Sequence, residues 1–287
     1  MRGAAPAFKV VMTMQTPVKA LLLLLLSVVG LVVHPLGTGQ SAAQASPPAQ
    51  AAASIHVALG APTRAGGDEL VLTRSQYVIG YSRVMNGPRW ASWRLVASDF
   101  GGQARHKGHF ITDGSLPAGW YQAQHSDYTG SGYDRGHLVR SEDRTASRAD
   151  NDSTFLMTNV APQRHDLNAG PWLRLEDHCR VLAQHDGRQL FITAGVIYGS
   201  APARIGGGVA VPESWWKVVV VTAPGDGAAE VTPQTRVIAV VMPNVEGIGD
   251  RPWTGYRTTV AEVERRTGYT LLDNVEGSVR AVLLVQR

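Results

Sequence analysis

Short apolar runs broken by turn formers dominate the pattern along the chain. Residues 69–73, 77–81 and 90–96 are rich in β-branched and aromatic side chains, and Asn86-Gly87-Pro88 punctuates the last gap. They predict consecutive antiparallel strands. Residues 100–132 are dense in Gly, His, Asp and Ser without periodicity, which predicts a long loop. Residues 136–139 and 154–160 read as two further strands. From Asn168 the period changes: Trp172, Leu175, Cys179 and Leu182 recur at intervals of three and four, with Pro171 in the first turn and Asp186-Gly187 as the stop. That spacing predicts an amphipathic helix. Residues 189–193, 215–221, 236–241 and 281–285 are further expected strands, and residues 259–266 a short helix capped by Thr258 or Thr259. Strands in runs with few helices predict an α+β fold around a largely antiparallel central sheet with flanking helices. No internal repeat or second boundary interrupts it, so one folded domain is expected over 55–287.

The first residues follow a different pattern. Lys9 and Lys19 precede an apolar run over 20–33, followed by small residues ending in Ala43-Gln44-Ala45. This predicts a signal peptide over 1–45, because the run is short for a membrane span of about 20 residues. Residues 46–54 carry no charge and predict a disordered spacer. Export to the periplasm or the medium is therefore expected, with no stable membrane association after signal removal. Losing Arg2, Lys9 and Lys19 lowers the formal charge from +4 to +1. A field over the whole molecule cannot then attract a polyanion, and any such attraction must be local. Cys179 is the single cysteine, which excludes an intramolecular disulfide and a cysteine-rich structural zinc site.

Two stretches carry candidate chemistry. Asp134-Arg135-Gly136-His137 ends in a histidine, the side chain whose neutral ring can take a proton from water near neutral pH. Asp134 and Arg135 are placed to set its surroundings. Taken alone, the run also reads as a charged turn. Downstream, Asn168 stands at the expected helix entrance and Glu176 two turns further on. Oxygen donors of this kind suit a hard cation that keeps several of its waters. Eight helical residues separate the two Cα atoms by roughly 12 Å, so Asn168 is read as the direct ligand and Glu176 as acting through a bound water. The alternative is an N-cap asparagine with an exposed helix glutamate.

Tyr128 to His137 resembles the signature of the DNA/RNA non-specific endonuclease family, the ββα-metal or His-Me finger nucleases, and Asn159 to Glu176 resembles its metal-binding segment. The likeness extends to residues 56–60, 92–95, 211–212, Trp215-Trp216-Lys217 and 242–244. It implies an exported, Mg²⁺-dependent endonuclease on a ββα-metal unit, with Mn²⁺ or another divalent cation as a substitute. DNA and RNA would be hydrolysed without base selectivity, to 5′-phosphate and 3′-hydroxyl ends. His137 would activate water, Asn168 would hold the ion, Glu176 would orient its water and Arg135 would support the site beside the histidine. Arg105 and Arg180 would contact phosphate, while Asp134 and Asn159 would hold the site from behind. For Arg180 an ion pair with Glu176, four residues away on the helix, stays open. A catalytically silent nucleic-acid or surface-binding module is the alternative for the whole chain, and a homodimer is left open.

Other features read as structural. His106 and His109, or His178 beside Cys179, lack the further ligands a zinc site needs. Gly206-Gly207-Gly208 reads as a turn, Ser131 lacks the spacing of a nucleophile elbow, and Trp215-Trp216 reads as part of a strand spanning the sheet, with base stacking as the alternative.

Overall fold

The computed structural model describes residues 54–287, so the expected signal peptide and all of the spacer except Ser54 lie outside the described residues. The frame is a seven-stranded antiparallel sheet in the order β1-β2-β3-β6-β9-β10-β11. Its strands are β1 (Glu69–Thr73), β2 (Val78–Ser82), β3 (Gly87–Leu95), β6 (Gln189–Ile197), β9 (Ser214–Thr222), β10 (Arg236–Pro243) and β11 (Arg257–Thr258). Two small pairs stand apart from it, β4 (Asp134–His137) with β5 (Val160–Gln163), and β7 (Arg204–Ile205) with β8 (Val209–Ala210). The α+β expectation holds.

Both faces of the sheet are covered, which explains the nearly continuous apolar runs of its central strands. Along β9, Trp215 and Val219 enter one core with Trp93 and Leu95 of β3, while Trp216, Val218 and Val220 enter the other. That split follows from the two-residue period of a strand. The first core receives the long helix α2 (residues 165–185) and the β4–β5 unit through Trp172, Leu175, Leu138 and Ala161. The second receives α3 (Val260–Thr267) and α4 (Gly277–Val285) through Val260, Val263 and Leu283. Thr259 caps α3, its hydroxyl accepting from the Glu262 amide at 3.1 Å. No described helix is long and apolar enough to cross a membrane.

Three elements differ from expectation. Residues 281–285, expected as a strand, lie in α4, which is capped by the Glu276 carboxylate accepting from the amides of Ser278 and Val279. The cap and the Val279/Leu283 stripe decide the conformation there, because a run of five apolar residues has no period of its own to separate helix from strand. Residues 154–160 are not a strand either: α1 (Arg148–Ser153) leads into a turn at Met157–Asn159, and β5 begins only at Val160. The polar side chains explain this, since Thr158 donates to Asp113 and Asn159 bonds to the backbone of Val139 and Thr154. The third difference is at α2, which starts at His165, ahead of Asn168. Pro171 therefore sits inside it, in a widened turn over Asn168–Trp172 where Gly170 has φ −102° and ψ −119°. A proline cannot supply its amide to a regular helix, and the wide turn absorbs the fault.

Candidate active site

β4 and β5 pair antiparallel, with His137 opposite Val160 and Gly136 opposite Ala161, and α2 follows two residues after β5. This is the strand–strand–helix unit that the resemblance implied. Gly136 permits it. A Cβ there would lie 2.4 Å from the Gln163 side chain and 2.9 Å from Trp215, so only glycine lets β4 settle against the sheet. Arg135 and His137, two apart, turn the same way, and both contact the ring of Phe110.

The His137 ring lies 5.1 Å from Phe110 and 5.1 Å, edge-on, from Phe155. Its Nε2 is buried and has no hydrogen-bond partner. Burial lowers its pKa to about 3, helped by the charges of Arg105 and Arg140 and opposed by Glu142. The ring is thus neutral at pH 7, the form that accepts a proton. Arg105 lies over the Phe155 ring: its guanidinium is 4.9 Å from the ring centroid, bonded to Ser141 and 3.1 Å from Glu142.

Asn168 is positioned by Asp134. Its Nδ2 donates to Asp134 Oδ2 at 2.9 Å, and His165 Nδ1 meets the same oxygen at 2.8 Å. The amide oxygen Oδ1 of Asn168 makes no hydrogen bond among the described residues. An oriented neutral oxygen beside a carboxylate fits a hard divalent cation that keeps several waters. Asn159 stands behind: its side chain accepts from the Val139 amide at 3.0 Å and donates to Val139 and Thr154 carbonyls at 2.9 Å. It fixes the chain just past His137.

Glu176 does not have the exposed setting of the alternative reading. It is buried, with Oε1 3.4 Å from Lys217 Nζ and Oε2 3.8 Å from Arg140 Nε. Burial pushes its carboxyl pKa up, against the pull of Lys217 and Arg140. The Asn168 alternative fails likewise, since the residue lies within α2 and does not cap it. Arg180 makes no ion pair with Glu176. Its Nε donates to Gln184 at 3.1 Å, and its guanidinium lies 5.7 Å from the Phe100 ring. Arg135 holds the preceding loop, donating to the His125 carbonyl at 2.7 Å and lying over Tyr128 at 5.6 Å. The structure therefore ties Asn168 to Asp134, and Arg105 to Arg140 through Glu142, but sets Arg180 apart with Phe100 and Gln184.

Lys217 and Arg140 escaped the sequence reading as site residues. Lys217 is 1% exposed in the middle of β9, 4.2 Å from the Trp172 ring centroid and 5.7 Å from that of Trp93. The signal was present: a single charge inside Trp-Trp-Lys-Val-Val-Val-Val, on the core-facing parity of Trp215 and Val219. Arg140 bridges Glu142 at 2.9 Å and Asp177 at 2.7 Å. Nothing in its local sequence marks it.

With this geometry, the comparisons with known proteins are direct. The model of the DNA/RNA non-specific endonuclease family matches residues 57–278. A nuclease of Nostoc sp. is 41% identical over 233 residues, 79% of this chain and 84% of the relative. The mitochondrial endonuclease G of Bos taurus is 29% identical over 260 residues, 82% of this chain and 84% of the relative. Among solved structures, a chain in the crystal structure of the EndoG/EndoGI complex matches with a TM-score of 0.67 and 27% identity, over 80% of this chain and 94% of that one. A shared fold with related sequence along most of both chains makes this protein a nucleic-acid hydrolase. It belongs to the DNA/RNA non-specific endonuclease family.

Proposed function

We propose that the protein is an exported endonuclease that hydrolyses phosphodiester bonds of both DNA and RNA with one divalent cation, Mg²⁺ in the first instance. The reading rests above all on the Asp134–Asn168 hydrogen bond, which presents the Asn168 oxygen, together with the unpartnered Nε2 of His137. A buried polar atom without a partner is costly unless something else satisfies it, and in this reading water and substrate do so. The cation, bound by Asn168, would neutralise charge building on the phosphate oxygens.

The chain's own residues do the rest. His137 Nε2 takes the proton of the attacking water. The charges of Arg105 and Arg140, which depress the histidine in the free protein, are offset when a phosphate arrives, so substrate binding raises the basicity of the ring. Arg105 faces the phosphate, Arg135 braces the loop beside the histidine, and Arg180 stands further along the strand path. Glu176, held between Lys217 and Arg140, steadies α2 and orients water near Asn168. Water attacks in line and O3′ leaves, giving 5′-phosphate and 3′-hydroxyl ends. Contacts confined to phosphate and sugar carry no base information, which accounts for the absence of sequence selectivity. Export follows from Lys9, Lys19 and the apolar run over 20–33.

Supercoiled DNA, single-stranded DNA and RNA incubated with the purified protein and Mg²⁺ should all be degraded, and EDTA should stop the reaction. His137→Ala should lower the rate by about 10²–10⁴-fold. A protein that binds these nucleic acids but cuts none of them with any divalent cation would be a silent binding module.

A further inference from the structure

Beside Arg105 the surface opens into a cavity of about 200 Å³ lined by Gln103, Ala104, Arg105, His106, Lys107, Arg148 and Asp152. Arg105, Lys107 and Arg148 face Asp152 there, and Arg105 is also paired with Glu142 at 3.1 Å, which leaves a local excess of one positive charge in a chain whose formal charge without the leader is +1. The excess is available to a ligand. Lys107 has no ion-pair partner among the described residues. Arg148 meets Asp152 at 3.4 Å with its side chain 80% exposed, an arrangement that water screens and that contributes little to stability. Asp152 is also engaged by His106 Nδ1 at 2.7 Å, and the His106 ring packs at a tilt against Phe155, 4.8 Å between centroids. The carboxylate thus ties Arg148 and the His106 ring into one wall and leaves Lys107 as the cation without a partner among the described residues.

Position gives the cavity its meaning. Phe155 carries the His106 ring, the Arg105 guanidinium and the edge of the His137 ring together. The cavity thus shares one side chain, Arg105, and one supporting ring with the candidate site. We propose that it is a subsite for a backbone phosphate of the nucleic-acid strand, flanking the bond that is cut, with Lys107 and Arg148 as its contacts. This rests on the endonuclease reading above. No Phe, Tyr or Trp lines the cavity for a base to stack on, so it takes the backbone and is indifferent to sequence.

Each lost phosphate contact to a single strand should flatten the plot of log binding constant against log salt by about 0.7. The test measures fluorescence anisotropy of a labelled thymidine strand of about 20 nucleotides, titrated with protein in EDTA between about 50 and 200 mM NaCl. Lys107→Gln and Arg148→Gln should each lower the slope by part of this, and the double variant, which leaves the phosphate with neither cation, by about 0.7 in all. Lys107→Arg should keep the original slope. In cleavage of the same strand with Mg²⁺, the double variant should raise KM and leave kcat unchanged. Circular dichroism melts matching the parent exclude misfolding at these exposed positions. An unchanged salt slope in the double variant, or a loss in kcat alone, overturns the subsite. Failure of the parent itself to bind and cut the strand overturns the endonuclease reading instead.

Discussion

Asn168 donates its amide nitrogen to Asp134 Oδ2 across 2.9 Å, joining α2 to the strand that carries His137. The bond fixes which end of the amide faces outward. A carboxylate can only accept, so nitrogen must point at Asp134 and oxygen must point away. Asp134→Ala removes this constraint and frees His165 as well. It should weaken Mg²⁺ binding about 10- to 100-fold, as loss of an outer partner of a metal-binding group does. Isothermal titration with Mg²⁺ alone measures it. Unaltered affinity would show that the amide needs no such clamp.

The buried Lys217–Glu176 pair makes a second expectation. Removing one partner strands the other charge, at a cost of about 3–5 kcal/mol. Glu176→Gln, which leaves Lys217 without an ion-pair partner among the described residues, should therefore lower Tm by roughly 10 °C for a domain of this size. Lys217→Met combined with Glu176→Gln should lose less than the sum of the single variants, because neither charge is then left alone. Additive losses in thermal melts would show that the two are not coupled across their 3.4 Å separation.

Acid should destabilise the fold through His56. Its Nδ1 accepts from the Arg94 amide at 3.1 Å and its Nε2 donates to the Ser75 carbonyl at 2.8 Å, so the ring must be neutral to make both bonds. Burial lowers its pKa to about 4 from 6.5. Between those values the unfolded chain binds more protons than the folded one. The stability is complete above pH 6.5 and falls as pH drops toward 4, by on the order of 2 kcal/mol. His137, lowered to about 3, adds to the same trend. His56→Gln, which can accept and donate at the same two places, should flatten the pH dependence of urea midpoints. An equal slope in the variant would place the acid sensitivity elsewhere.

Gly136 gives a steric prediction. Gly136→Ala forces a Cβ to within 2.4 Å of Gln163 Oε1 and 2.9 Å of the Trp215 ring. Overpacking of this kind costs about 1–3 kcal/mol. Because the two nearest atoms, Oε1 at 2.4 Å and Cβ at 2.6 Å, both belong to Gln163, adding Gln163→Gly should restore part of the loss. Chemical denaturation of the two single variants and the double variant reads this coupling.

The sequence by itself determined the sheet and much of the candidate site. Strand propensity is local, so the β-branched apolar runs over residues 215–221 and 236–241 were enough to find β9 and β10. The spacing of Trp172, Leu175, Cys179 and Leu182 was likewise enough to find the apolar stripe of α2. His137 and Asn168 were legible because each sits in a run of residue types tied to its chemistry. Tertiary structure decided the rest. Residues 281–285 form a helix because a cap at Glu276 and packing against α3 outweigh an ambiguous apolar run. Glu176 is buried where β9 brings Lys217, and the chain just past β4 brings Arg140, to its carboxylate from positions 41 and 36 residues away in sequence. Those partners meet only when sheet and helix pack, and no local pattern encodes a meeting between separate elements. The same holds for the amide of Asn168: its place in the chain is a matter of sequence, but the direction of its oxygen is set by Asp134 on β4.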